Sequence, residues 1–137
     1  MTAHFDFTGR WRADLAASRL RGPTPKEIVV SLVHSDPDLR AEMTIVTADA
    51  TATHIVFDAC TTGEAIANTI GGAEWVSRSR WAEHELLIES DVSQAGRLMH
   101  FRDYWSLSSD GQRLTMEHRG DDLDGQLTVL DRMDGAE

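Results

Sequence analysis

Two ionisable side chains, Asp103 and His118, stand among residues that are otherwise apolar at every second position. Asp103 shares its alternation with Met99, Phe101, Trp105 and Leu107, and His118 shares its own with Leu114 and Met116. Period-two alternation places each set on one face of an extended strand. The turn residues Ser108-Ser-Asp-Gly-Gln112 between them make the two strands partners in a hairpin. A histidine oriented by a carboxylate can act as general base or acid. No nucleophile or oxyanion-binding motif accompanies the pair, so a satisfied buried contact or the polar end of a binding site fits the same pattern.

The aromatic residues suggest what such a pair would face. The chain has 4 tryptophans against 1 tyrosine. Trp75, Ser77, Ser79 and Trp81 alternate with Val76, Arg78 and Arg80, and Leu86, Ile88, Ser90 and Val92 share a face of the next segment. Taking the tryptophan face as inward, Trp75, Trp81 and Trp105, with Phe101 and Met116, form walls, while Ser77, Ser79 and Ser90 leave space that larger side chains would fill. Apolar walls with a few polar groups suit a small-molecule cavity, although a well-filled core has the same composition. Arg78 and Arg80 then point outward. His34, His54, His84 and His100 are scattered over different segments without the i, i+2 or i, i+4 spacing of a metal-ligand pair, so neither metal nor cofactor is expected. Cys60 reads as a small buried hydrophobe, and the Glu83-His84-Glu85 and Asp121-Asp122-x-Asp124 turns as solvated charge, the latter too short to fill a calcium shell.

The elements that must position these residues are strands. The prolines, Pro23, Pro25 and Pro37, all lie early, and no later proline interrupts a hydrogen-bonded ladder. Turn clusters at Thr61-Thr-Gly-Glu64, Gly71-Gly72, Ser93-Gln-Ala-Gly96, Ser108 to Gln112 and Gly120 to Gly125 recur at strand-plus-turn intervals. With strands at 5–12, 27–34, 39–46, 54–59 and 125–133, the count reaches about nine. One short helix is predicted over 14–21, capped by Asp14 and stopped by Gly22 before Pro23.

Composition limits the partners. In 137 residues, 13 Lys and Arg against 23 Asp and Glu leave a net charge of −10, which repels phosphate backbones and anionic lipid surfaces. No nucleic acid or membrane partner is expected, and no signal peptide or apolar span is visible. A lone cysteine cannot close an intrachain disulfide, which favours the cytoplasm. The length suits one domain over 1–137, able to bury a core without metal or disulfide, as a monomer or homodimer.

Eight or nine antiparallel strands with one apolar face each can stack as a sandwich or close as a barrel, and closure removes exposed edges. Phe7-Thr-Gly-Arg-Trp11 near the start and Arg132 near the end favour closure. Gly9 would let the backbone approach a barrel end, where Trp11 could take the Arg132 guanidinium on its face. At these residues the chain resembles the calycin superfamily of lipocalins and fatty-acid-binding proteins, and particularly small bacterial lipocalin-like domains. In that superfamily the Gly-x-Trp tryptophan packs against an arginine near the C-terminus at the closed end of the barrel. Asp103-Tyr104 also resembles part of a second lipocalin motif, with Arg102 where that motif has threonine. The resemblance implies an all-β, closed, up-and-down antiparallel barrel binding a small, largely apolar molecule. The alternative is an enzyme, a cyclase, isomerase or hydrolase on a hydrophobic small molecule, with His118 and Asp103 as its acid–base pair.

Overall fold

The structure, a computed structural model, describes residues 6–120 and 125–133. Ten strands follow one another: β1 (Gly9–Ala13), β2 (Glu27–Ser35), β3 (Asp38–Val46), β4 (Ala52–Cys60), β5 (Ile66–Ile70), β6 (Ala73–Ala82), β7 (Glu85–Gln94), β8 (Arg97–Leu107), β9 (Arg113–Arg119) and β10 (Gln126–Arg132). They form one antiparallel sheet in the order β4-β3-β2-β1-β10-β9-β8-β7-β6-β5. Each strand pairs with its chain neighbour except β4 and β5, which end the sheet, while β1 pairs with β10 to join the first strand to the last and leave the barrel nearly closed.

Two expectations need correction. The strand count is ten, because Ile66–Ile70 is a strand of its own. Only five residues long, it is interrupted by Asn68, a residue type depleted in strands, which is why alternation did not reveal it. The helix over 14–21 is absent; the chain makes a single turn there. Asp14 does cap it, its side chain accepting from the Ala17 amide at 3.1 Å. The turn goes no further because Arg19 pairs as an isolated β-bridge with Leu127, exchanging hydrogen bonds of 2.8 and 2.9 Å. Six residues beyond the end of β1, the backbone is thus drawn back onto the free edge of β10, where two ladder bonds win over further helix. The acidic turn at 121–124 lies outside the described residues.

Two-residue turns join several hairpins and hold the registers. Gly71-Gly72 has positive φ at both positions, the geometry such turns require. At the seam between β4 and β5, where strand pairing stops, the Asn68 side chain stands in for a ladder. Its amide accepts from the Asp58 N–H and donates to the Asp58 carbonyl, both at 2.9 Å.

The core fills one end of the barrel. Phe7, Trp11, Leu32, Leu39, Leu86, Leu114 and Leu130 are fully or almost fully buried there, together with Trp105. Phe7 stacks on Trp81 at 5.9 Å and meets Trp105 edge-on at 6.0 Å. This aromatic plug leaves the interior space toward the opposite end.

Candidate functional site

The closed end is built by the contact between the first and last strands. Trp11 and Arg132 sit directly opposite each other in the β1–β10 ladder, so their side chains emerge on the same face. The Arg132 guanidinium carbon lies 4.3 Å from the Trp11 ring centroid, a cation–π geometry. Arg132 also donates to the Thr8 carbonyl at 2.7 Å and to the Gly111 carbonyl at 3.1 and 3.2 Å. Gly9 is needed twice over: its φ is +145°, and a Cβ there would come 2.5 Å from the Arg132 Nη1. The indole N–H of Trp11 donates to the Phe7 carbonyl at 3.0 Å, so no polar atom of the buried tryptophan is left unpaired.

Above the plug lies a cavity of about 230 Å³. Met43, Ile55, Phe57 and Ile70 wall it on one side of the barrel, and Trp75, Ile88, Trp105 and Met116 on the other. Its polar lining is Ser90, Asp103, His118, Gln126 and Thr128. The ladder sets this arrangement: Asp103 is opposite His118, which is opposite Gln126, so three inward polar groups from β8, β9 and β10 lie side by side. His118 Nδ1 is 2.7 Å from Asp103 Oδ1, with the two side chains 13% and 22% exposed. Because an ionised carboxylate only accepts, Nδ1 carries the hydrogen, and in the neutral form of the ring Nε2 is left as an acceptor. That Nε2 is buried and has no hydrogen-bond partner among the described residues. The Phe101 ring packs on the imidazole, centroids 4.7 Å apart, and reaches Trp75 at 5.7 Å.

No family model and no curated protein matches the chain. Solved structures do resemble it along most of its length. Fatty-acid-binding protein 1 of Echinococcus granulosus superposes with a TM-score of 0.64 at 10% identity, over 93% of this chain and 97% of that one. Secretory abundant heat soluble protein 4 of Ramazzottius varieornatus gives 0.63 at 6% identity, over 97% and 99%. A second secretory abundant heat soluble protein of that organism, crystallised from a dimer sample, gives 0.59 at 12% identity, over 92% and 94%. The fold is a calycin-like, nearly closed antiparallel β-barrel. At these identities the likeness concerns architecture, and the lining of this barrel has to be read from its own residues.

The residues singled out from the sequence fall into separate places in the barrel. Trp75, Ser90, Asp103, Trp105, Met116 and His118 line the cavity. Ser77 is buried beside it, its hydroxyl 2.8 Å from that of Ser90 across the β6–β7 ladder. Ser79 is buried with its hydroxyl unpaired. Trp81 is not in the cavity wall. It belongs to the plug, stacked on Phe7, with its indole N–H 3.4 Å from Asp36. Trp75 and Trp81 share a strand face yet are six residues apart, which is roughly 20 Å of extended chain, too far to border one small cavity. Arg78 and Arg80 lie on the outer face, where Arg80 pairs with Glu89 at 2.8 Å.

A second histidine–carboxylate contact, not distinguished in the sequence, sits in the plug. His34 accepts the Phe7 amide on Nδ1 at 3.1 Å, and its Nε2 lies 2.9 Å from Asp36 Oδ1. The Phe7 N–H requires a bare Nδ1, so the ring is the Nε2–H tautomer donating to Asp36. Desolvation pushes the Asp36 carboxyl upward, but hydrogen bonds from His34, Thr61 and Trp81 outweigh it and hold the group below its usual 3.8. Both ring nitrogens of His34 are occupied, so this contact is structural. The sequence signal was present, since His34 follows Val30 and Leu32 at period two. Its partner Asp36 lies in the β2–β3 turn, where alternation has no say.

Proposed function

We propose that this calycin barrel binds one small, largely apolar molecule in the cavity between the aromatic plug and the open end. The observation that carries the reading is the space itself: about 230 Å³ walled by apolar side chains from both halves of the barrel, with its polar groups gathered along β7, β8, β9 and β10. That volume is below the roughly 300 Å³ at which ligand pockets usually begin, so the ligand is compact. Titration with a small aromatic hydrocarbon tests the reading. Trp75 and Trp105 border the cavity, so tryptophan fluorescence changes on binding, and amide NMR shifts cluster on cavity residues. Ala41→Phe fills the space from the β3 side and abolishes both responses. Shifts scattered over the surface, or responses that survive Ala41→Phe, refute the proposal.

A second reading rests on the 2.7 Å contact between Asp103 and His118. A tautomer-fixed imidazole facing an apolar cavity is equipped to move a proton on a bound hydrophobic substrate, as in an isomerisation, cyclisation or hydrolysis. Under this reading His118→Ala abolishes turnover and leaves ligand affinity nearly intact. Equal loss of both assigns His118 to binding.

A further inference from the structure

Asp103 fixes more than the orientation of His118; it fixes which ligand chemistry the cavity accepts. With Nδ1–H committed to the carboxylate at 2.7 Å, the remaining polar atom of the neutral ring is a lone pair on Nε2. This atom is buried and unpaired. Buried polar atoms without partners are few in native proteins because each forfeits its hydration without recompense. The ring belongs to the cavity lining, and the phenyl ring of Phe101 packed on it is a single rotatable side chain, half-buried itself.

The charges around the cavity narrow the choice further. Among its lining residues the ionisable ones are Asp103 and His118, and none is Lys or Arg. With the carboxylate ionised and the ring neutral, the pair carries a net charge of minus one, so an anionic head group would be buried beside Asp103 without an opposing cation. An uncompensated buried charge is strongly disfavoured. The Ser90 hydroxyl, the other candidate close to the aromatic wall, is already engaged with Ser77 at 2.8 Å. From the orphan acceptor and the absence of a cation we infer that the barrel takes an uncharged, compact apolar molecule bearing one O–H or N–H donor, an alcohol or phenol for instance, and that this donor bonds to His118 Nε2. The inference rests on the binding function proposed above and names its ligand class.

The test is a matched series of the same apolar body: para-tert-butylphenol, tert-butylbenzene and para-tert-butylbenzoate, titrated calorimetrically into the full chain. The phenol binds at least roughly tenfold more tightly than the other two, the gain expected of one buried hydrogen bond. Asp103→Leu/His118→Leu removes donor and acceptor together, leaving neither stranded. In this variant the phenol loses its advantage and binds no more tightly than the hydrocarbon. Imidazole nitrogen NMR of the unmodified protein supplies a readout that needs no variant: the His118 Nε2 resonance moves on adding the phenol and stays put on adding the hydrocarbon. Tightest binding by the benzoate, a phenol preference that persists in the double variant, or an unmoved Nε2 resonance overturns the inference and leaves the binding function standing. If none of the three probes binds the unmodified protein, the binding function falls and the inference falls with it.

Discussion

Replacing Arg132 with methionine asks how far closure of the barrel depends on one side chain and how far on the β1–β10 ladder. Methionine keeps an unbranched stem against the Trp11 indole and removes the guanidinium. The cation–π contact at 4.3 Å is half-buried and contributes about 1 kcal/mol within the usual 0.5–2. The two bonds to the partly buried Gly111 carbonyl, at 3.1 and 3.2 Å, add about 1.5–3 kcal/mol as a charge-assisted contact. The bond to Thr8 is exposed and is replaced by water. The expected loss is therefore roughly 2–4 kcal/mol, or about 10 °C in melting temperature for a chain of this size. Urea unfolding followed by tryptophan fluorescence and far-ultraviolet circular dichroism measures it, with the slope unchanged. Gly9→Ala completes a cycle. In the unmodified protein it costs both the positive-φ strain, about 1–3 kcal/mol, and the clash of its Cβ with Nη1 at 2.5 Å. In the Arg132→Met background only the strain remains, so the two losses fall short of additivity by about 1 kcal/mol. An Arg132→Met loss under about 0.5 kcal/mol, or strictly additive losses, refutes the account of Trp11 and Arg132 as the closing contact.

Asp36 predicts an acid-range effect: its carboxyl is held below the usual 3.8 by His34, Thr61 and Trp81, against the upward push of desolvation. A depressed folded-state value stabilises fully above the unfolded value and is lost as pH falls through the folded one. The gap in urea midpoint between the unmodified protein and Asp36→Asn is therefore constant above about pH 5 and closes on acidification; a gap that widens toward low pH contradicts it. Ser77→Ala strands the Ser90 hydroxyl in a buried position and costs about 1–3 kcal/mol, whereas Ser77→Ala/Ser90→Ala, with no orphan left, is less destabilising than the single change. Asn68→Ala removes both bonds across the β4–β5 seam, so hydrogen exchange of the Asp58 amide accelerates while amides of the β1–β10 ladder keep their protection.

Much of the barrel is readable in the chain because strand alternation and turn chemistry are local. The turns at Gly71-Gly72, Gly96 and Gly111 carry the positive φ that their glycines announce, and the strands between them follow. The hairpin linking Asp103 to His118 is local too: β8 and β9 are consecutive, and the register across one short turn leaves the two residues opposite. Where a local signal met a long-range competitor, the competitor prevailed. Asp14 caps its turn as its residue type suggests, yet the helix stops because Leu127, more than a hundred residues later, offers Arg19 ladder bonds. Ile66–Ile70 became a strand by pairing with β6, despite a weak pattern of its own.

The sequence alone determined most of the extended segments and which residues of each share a face, since a side-chain period of two is a property of the strand itself. It also brought Asp103 and His118 together through a single turn. Only the tertiary structure decided how high along the barrel each inward residue sits, because alternation carries a face but no level. Level comes from the slant of all ten strands once β1 has paired with β10. That is why Trp81 plugs the closed end while Trp75, on the same face of the same strand, borders a cavity, and why His118 lines that cavity instead of a filled core.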